Sequence, residues 1–312
     1  MAQKVILITD PGIDSAFAVA LALLEPKLDV LALCATAGNV PAVQATVNVH
    51  TLIAQLDPPK YPRLGAAPHV TYDVDGMQLH GADGLGNADF PSISLHAPMA
   101  SDRLLTELVH KNPHEITVVC IGPLTVLAAA FSRDPTLPKQ IDRVVCVGGA
   151  WREPGNSGPL AEFHFYCDPT SARKVLQSGA NITLVPLDVT RKLIFSPSDL
   201  LELPVPESNT AQFLRKIVPF GIRASSNLYG IEGFHMKDVM GIAALAVPKA
   251  LTLQPFFVDV ETRGELTRGV SVVDARPNTK STPNVDLATG VDAVGVRDYI
   301  FETLKRANDS SE

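Results

Sequence analysis

Short, wholly apolar runs rich in β-branched residues recur along this chain with helix-length amphipathic segments between them, and this alternation limits the fold more than any other feature. The runs are residues 5–9, 30–35, 116–121, 144–148 and 182–185. None shows the polar–apolar alternation of a strand with one wet face, so each predicts a strand covered on both sides. Residues 14–25, 41–56, 101–111, 123–131 and 168–178 carry apolar side chains at helical spacing, several opening on Pro or Asp. Strand and helix repeated in this way predict an α/β fold, with a mostly parallel open sheet flanked by helices. The second half is less regular. Residues 197–206 are Pro-rich and read as a connection, 209–220 and 238–246 as helices, 256–262 and 270–274 as added strands, and 294–304 as an amphipathic helix packed on the body. No repeat, low-complexity tract or linker interrupts the pattern, which predicts one domain over residues 1–312.

Composition excludes several partners. With 46% hydrophobic and only 19% charged residues the chain is expected to bury a large core, and disorder is excluded. A net charge of −7 leaves no diffuse basic field for nucleic acid or an anionic membrane. No apolar run approaches the ~20 residues of a membrane span. The segment ahead of the first strand lacks a signal-type apolar region and cleavage site, which predicts a cytoplasmic location. Cys34, Cys120, Cys146 and Cys167 are widely separated, and the first three lie inside apolar runs. They read as buried free thiols in a reducing compartment rather than as a zinc or redox site.

In an open parallel sheet, ligands bind where the carboxyl ends of strands meet the amino ends of helices. The first strand runs into Asp10-Pro11-Gly12-Ile13-Asp14-Ser15, a tight turn that brings two carboxylates to the mouth of the sheet. Such a pair is costly unless a cation or hydrogen-bond donors occupy the space between them. The same segment also fits an Asp-Pro turn in which Asp14 caps a helix. The other strand ends add Thr36-Ala37-Gly38-Asn39, Gly122-Pro123-Leu124-Thr125 and Gly148-Gly149-Ala150. Each alone fits an ordinary βα loop; four small-residue turns with polar tips on one sheet edge favour a site.

In these residues the chain resembles the nucleoside hydrolase family, the inosine-uridine preferring N-ribohydrolases. The DPGxD turn, Ala37-Gly38-Asn39-Val40, His80-Gly81-Ala82-Asp83-Gly84-Leu85-Gly86, Gly122-Pro123-Leu124-Thr125, Pro154-Gly155-Asn156, Ala161-Glu162-Phe163 with Asp168-Pro169, and Asp238 at the head of a late helix follow the family pattern in order, between residues 4 and about 305. The resemblance implies a Rossmann-like core and hydrolysis of the N-glycosidic bond of a ribonucleoside, purine or pyrimidine, to ribose and free base. It further implies a calcium ion that binds the 2′ and 3′ hydroxyls and a water, which Asp10 deprotonates. By the same likeness Asp14, Asn39, Asn156 and Glu162 match groups that hold the sugar, His80 and His164 lie where the sugar is approached, and Asp10, the Thr125 carbonyl and Asp238 match calcium ligands. Calcium takes roughly six to eight oxygen donors, which suits such a set. The likeness also implies a homo-oligomer, dimer or tetramer, acting on a small molecule.

The chain departs from the family at three places in the inner shell. Where the family has DxDPGxDD, this chain has Ile8 and Ser15 in place of the first and last acids. A serine hydroxyl is a neutral, single-point ligand where the family has a bidentate carboxylate. His164 stands where the family has asparagine, and Lys237 where it has histidine before the late aspartate. An inward-pointing Lys237 would neutralise Asp10 and Asp238 in part. His235, three residues before Asp238, shares a helix face with it if the helix begins early, and would then serve as the acid for the leaving base. Trp151 is expected to stack on a base or to pack at the rim. A family member that binds nucleoside or ribose without turning it over is the alternative, because all three departures alter the inner shell. An aspartyl-phosphate phosphotransferase would need a second acid where Gly12 stands, and neither a GxxxxGK phosphate loop nor a GxGxxG dinucleotide turn is present.

Overall fold

The computed structural model describes residues 2–91, 93, 95, 98–203 and 208–309. Eleven strands are present among them: β1 (Gln3–Thr9), β2 (Leu28–Ala35), β3 (Arg63–Gly65), β4 (Ile116–Ile121), β5 (Arg143–Val147), β6 (Ile182–Val185), β7 (Ile194–Phe195), β8 (Phe234–His235), β9 (Leu251–Val260), β10 (Ser271–Asp274) and β11 (Val285–Val291). Nine form one sheet in the order β10-β9-β11-β6-β5-β4-β1-β2-β3, and β7 with β8 makes a separate antiparallel pair. From β3 to β11 every neighbouring pair is parallel, whereas β9 and β10 are added antiparallel at one edge.

The five apolar runs coincide with β1, β2, β4, β5 and β6 because both faces of each are covered. In β1, Val5 and Leu7 join a core with Phe17, Leu21, Ile217, Phe234 and Met240, while Ile6 and Ile8 join the opposite core with Leu104, Leu108, Leu127 and Val175. Each such side chain contributes roughly 1.5–3 kcal/mol on leaving water, so alternation of polarity would have been costly here. Among the helices, Ile13–Leu24, Ala42–Leu56, Ser101–Lys111, Thr125–Arg133 and Pro169–Leu176 match the five expected ones to within a turn.

The second half differs more. Residues 197–202 are the helix Pro197–Glu202, not a connection, because Ser196 and Asp199 form a reciprocal capping box at its start; the rest of the expected connection, 204–206, lies outside the described residues. The helix expected to stop at 220 runs on as Asn209–Tyr229, past Pro219, and ends at Gly230 in the left-handed conformation. An internal proline removes one donor, and burial of Phe213, Leu214, Ile217, Val218, Gly221 and Ser225 along one face offsets it. The expected strands at 256–262 and 270–274 are β9 and β10, β11 was not foreseen, and the last helix is Ala293–Asp309.

The chain order positions the site. From β1 the chain moves outward to β2 and β3, then returns to place β4 on the other side of β1. The connections therefore diverge at the carboxyl ends of β1 and β4, the switch point at which open α/β sheets form a crevice. Asp10 follows β1 and Gly122 follows β4 at that point.

Candidate active site

Asp10 lies at the bottom of the crevice with no exposed surface. Its Oδ2 accepts the Asn39 main-chain N–H at 3.0 Å, and its main-chain oxygen accepts the Asn39 side-chain amide at 2.9 Å, so Asn39 holds Asp10 from both sides. Room for the carboxylate comes from glycines. A methyl group on Gly38 would collide with Asp10 Oδ2, and one on Gly122 would lie 2.8 Å from Asp10 N and 2.9 Å from Oδ1. The remaining oxygen, Oδ1, has no hydrogen-bond partner. Burial, followed by the charge of Asp238, pushes the Asp10 carboxyl well above the usual carboxylate range, against the opposing pull of the Asn39 amide.

Asp14 sits in the first turn of the helix Ile13–Leu24, buried, and neither of its oxygens has a hydrogen-bond partner. It is not a capping residue. His80 is its neighbour, with Nε2 3.9 Å from Asp14 Oδ1. His80 is buried, and its Nδ1 accepts the Ile13 N–H at 3.0 Å, which leaves the proton on Nε2, toward Asp14. Burial lowers its pKa to about 4, so the ring is neutral at neutral pH.

Glu162 precedes the helix Phe163–Cys167 and caps it. Its Oε2 accepts the N–H of Phe165 at 3.2 Å and, across the turn after β5, that of Gly149 at 3.1 Å. Its Oε1 is left to face the crevice, 3.8 Å from His164 Nδ1. His164 donates Nδ1–H to the Val147 carbonyl at 2.9 Å, and its Nε2 stands 3.7 Å from the unpartnered Asp10 Oδ1. Asn156, half-buried, accepts the Phe163 N–H on Oδ1 at 2.8 Å, leaving its amide nitrogen available.

Asp238 is buried at the head of the helix Val239–Ala246, with Oδ1 unpartnered and Oδ2 accepting the Ser15 hydroxyl at 2.5 Å. Burial and the charge of Asp14 raise its pKa well above the usual range. Lys237 beside it is half-buried and lines a cavity of about 230 Å³. Burial works against its charge, but Asp14, Asp238 and Glu162 outweigh it and the pKa is raised, so the side chain is an ammonium ion. Asn156, Arg191, Ser225, Tyr229 and His235 line the same cavity.

One expectation is corrected by this geometry. The late helix begins at Val239, after His235, which lies instead in β8, so His235 and Asp238 do not share a helix face. Burial, with Lys237 and Arg191 nearby, lowers the His235 pKa to about 4; a ring that is neutral at pH 7 is a hydrogen-bonding group rather than a stored proton. Trp151 packs on Phe256, ring centroids 5.1 Å apart, with Arg152 over its other side, and is rim packing. Of the expected calcium ligands Asp10, Ser15, Thr125 and Asp238, the two aspartates each keep one buried oxygen without a partner. Ser15 directs its proton to Asp238, and the Thr125 hydroxyl donates to Asp168 at 2.7 Å while accepting from Tyr72 at 2.6 Å, bonds that do not involve the Thr125 carbonyl, the expected ligand atom. Among the described residues no group of three or more His, Cys, Asp or Glu side chains is placed to hold a metal ion.

Sequence reasoning missed Arg191, Ser225 and Tyr229. Arg191 donates to the carbonyls of Pro154 and Gly155, both at 2.8 Å, and so fixes the loop that carries Asn156. Ser225, 1% exposed, presents an unpartnered hydroxyl to the cavity. The polar residue on the apolar face of a long helix was the available signal.

The model of a family described as inosine-uridine preferring nucleoside hydrolase matches residues 5–298. A non-specific ribonucleoside hydrolase, RihC, of Escherichia coli strain E24377A is 35% identical over 312 residues, covering 99% of this chain and 100% of that protein. A probable uridine nucleosidase 2 of Oryza sativa is 33% identical over 323 residues, covering 98% and 94%. Among solved structures, a plant nucleoside hydrolase, the PpNRh1 enzyme, superposes with a TM-score of 0.89 at 31% identity, covering 97% of this chain and 99% of that one.

Proposed function

Because this chain belongs to the inosine-uridine preferring nucleoside hydrolase family, and so hydrolyses the N-glycosidic bond of a ribonucleoside to ribose and free base, we propose that Asp10 activates the attacking water. The observation that carries this role is the buried Asp10 Oδ1, unpartnered at the sheet's switch point while Asn39 and two glycines fix the rest of the group. As the water oxygen bonds to C1′, its proton passes to Asp10 Oδ1. The C1′–N bond breaks with its electron pair leaving on the base, which then takes up a proton. Positive charge develops on the sugar in such a transition state, and the surrounding carboxylates stabilise it. Asp14, with both oxygens free, suits a pair of ribose hydroxyls; Glu162 Oε1, the Asn156 amide nitrogen and His80 Nε2–H complete the sugar contacts.

The cavity beside Lys237 takes the base. Beside Arg191 and Lys237, Ser225, His235 and Tyr229 offer hydrogen-bonding groups that either kind of ring can meet, which supports activity on both purine and pyrimidine nucleosides, in keeping with a relative named non-specific. His235 hydrogen-bonds the departing base; if His235→Ala leaves turnover unchanged on every nucleoside cleaved, that role is lost. The family is metal-dependent, and for calcium, the ion implied by the sequence resemblance, Asp10 and Asp238, each with one buried oxygen unpartnered, and the Thr125 carbonyl would be the protein ligands, with ribose hydroxyls and water completing the shell. Family likeness supports a dimer or tetramer, which sedimentation tests; a monomer at working concentration would contradict it. The buried free cysteines suit a reducing cytoplasm, and among the described residues no helix is long and apolar enough to cross a membrane.

Ribose release from a panel of purine and pyrimidine nucleosides tests the whole reading. Release from several is expected. Tight ribose binding with no base released on long incubation would instead make this a nucleoside-binding member of the family, a reading favoured by the altered residues Ser15, His164 and Lys237.

A further inference from the structure

We propose that Ser271 is a positioning residue of the ribose site, through which the β9–β10 hairpin holds Glu162 in its sugar-binding orientation. The inference deepens the hydrolase reading and rests on it. Ser271 opens β10 and is buried, and its hydroxyl accepts the Ala150 N–H at 2.8 Å while donating to the Ala150 carbonyl at 2.7 Å. One side chain thus satisfies both main-chain groups of a residue far away in the chain. The contact does not follow from strand pairing, because β9, β11 and β6 stand between β10 and β5 in the sheet.

The turn after β5 connects Ser271 to the site. Its Gly149 N–H goes to Glu162 Oε2 at 3.1 Å, and the Gly149 carbonyl accepts the Leu187 N–H at 2.9 Å. The Trp151 and Arg152 N–H groups both go to Asp188, at 2.9 and 2.8 Å. Ala150 is buried between these anchors, with Ser271 as the partner of both its groups. Buried main-chain groups stripped of their partners are costly, so without the hydroxyl the turn would shift to satisfy them. Gly149 is where such a shift reaches Glu162. It has left-handed backbone, and a methyl group on it would lie 2.9 Å from Ser271 Oγ.

The same hairpin backs the other donor to Glu162 Oε2, the Phe165 N–H at 3.2 Å. Gly269 lies directly against the helix Phe163–Cys167: a methyl group there would come 2.7 Å from Tyr166 Cα and 3.2 Å from the Phe165 carbonyl oxygen. Arg268 covers the Tyr166 ring, and the Gly269 N–H bonds back to the Glu261 carbonyl at 2.7 Å, which closes the hairpin. Both donors that orient Oε2 are therefore braced by one short stretch of chain, and Oε1 is left aimed at the sugar. A carboxylate held in this way meets ribose hydroxyls without first being ordered by them.

The test compares wild type, Ser271→Ala, Glu162→Ala, the double variant of these two, and Val272→Ala, an exposed neighbour in the same strand. Thermal melts confirm folding; should Ser271→Ala not fold, Ser271→Cys, a weak donor and acceptor, is read in its place. Ser271→Ala is expected to weaken ribose binding by calorimetry and to raise KM, each about fivefold, the scale of one lost hydrogen bond, with kcat changed less than about twofold. Val272→Ala is expected to leave both unchanged. In the Glu162→Ala background, Ser271→Ala is expected to add less than about twofold, because its effect passes through that carboxylate. Wild-type ribose affinity and KM in Ser271→Ala, an equal loss in Val272→Ala, or a full further loss on top of Glu162→Ala overturns the proposal. A wild type that neither cleaves nucleosides nor binds ribose ends the hydrolase reading instead. Hydrogen exchange at the Gly149 amide then decides the role of Ser271: protection about tenfold lower in Ser271→Ala is expected, and unchanged protection overturns it.

Discussion

Burial pulls Asp10 toward its neutral form and the Asn39 amide pulls it back, so the group that must accept a proton is held at a pKa well above the usual carboxylate range. A base is active when deprotonated, so kcat/KM should fall as pH drops through that raised value, earlier than for an ordinary aspartate. His235, with a pKa lowered to about 4, should add no limb near 6.5; a limb there that disappears in His235→Ala would contradict this. Asp10→Asn should lower kcat by about 10²- to 10⁴-fold, the range of a positioned general base, while ribose binding measured by calorimetry changes little. His80 affects stability. Its folded pKa of about 4 lies below the ordinary histidine value of 6.5, so the unfolded chain takes up the proton first and stability is lost as pH falls from 6.5 toward 4. The loss amounts to about 3 kcal/mol at most. Denaturant titrations of wild type and His80→Asn should converge by that amount across this window, and parallel curves would show that the ring stays neutral in both states.

Elements contribute to the site chiefly by bringing backbone close to the reacting groups. The turns after β2 and β4 each place a glycine against Asp10 because nothing larger fits beside its carboxylate. Gly122→Ala should therefore displace Asp10 and lower kcat by about 10²-fold with the circular dichroism spectrum unchanged, since misplacement on the order of 1 Å can cost that much. Asn156 depends on a clamp. Arg191 binds two carbonyls of its loop, so Arg191→Ala should raise KM more than it lowers kcat; an unchanged KM would show that the loop holds itself. The pair β7–β8 plays a similar part, because it carries His235 to the cavity from outside the main sheet.

At the scale of the molecule, the two principal cores meet at a single sheet, with alternate residues of β1 belonging to each. Neither core can lose its packing without exposing the other face of the same strands. Denaturation followed by far-ultraviolet and tryptophan signals should therefore give one coincident transition, and two resolved transitions would contradict a single domain. The strands, most of the helices and the edge of the sheet that binds ligand were legible in the sequence because burial on both faces leaves a continuous apolar run, and because turns that approach a ligand leave glycine beside a polar tip. Ser15, His164 and Lys237 were visible as departures from a family pattern. The sequence by itself thus determined the α/β class, the parallel core and the position of Asp10 at a strand end, since these follow from local periodicity and turn chemistry. Only the tertiary structure decided that Ser15 closes onto Asp238, that His80 is buried against Asp14, that His235 comes from a strand, and that Ser225 and Arg191 belong to the cavity. Those relations join residues far apart in the chain, and no local pattern encodes which distant side chain will meet an unpartnered oxygen.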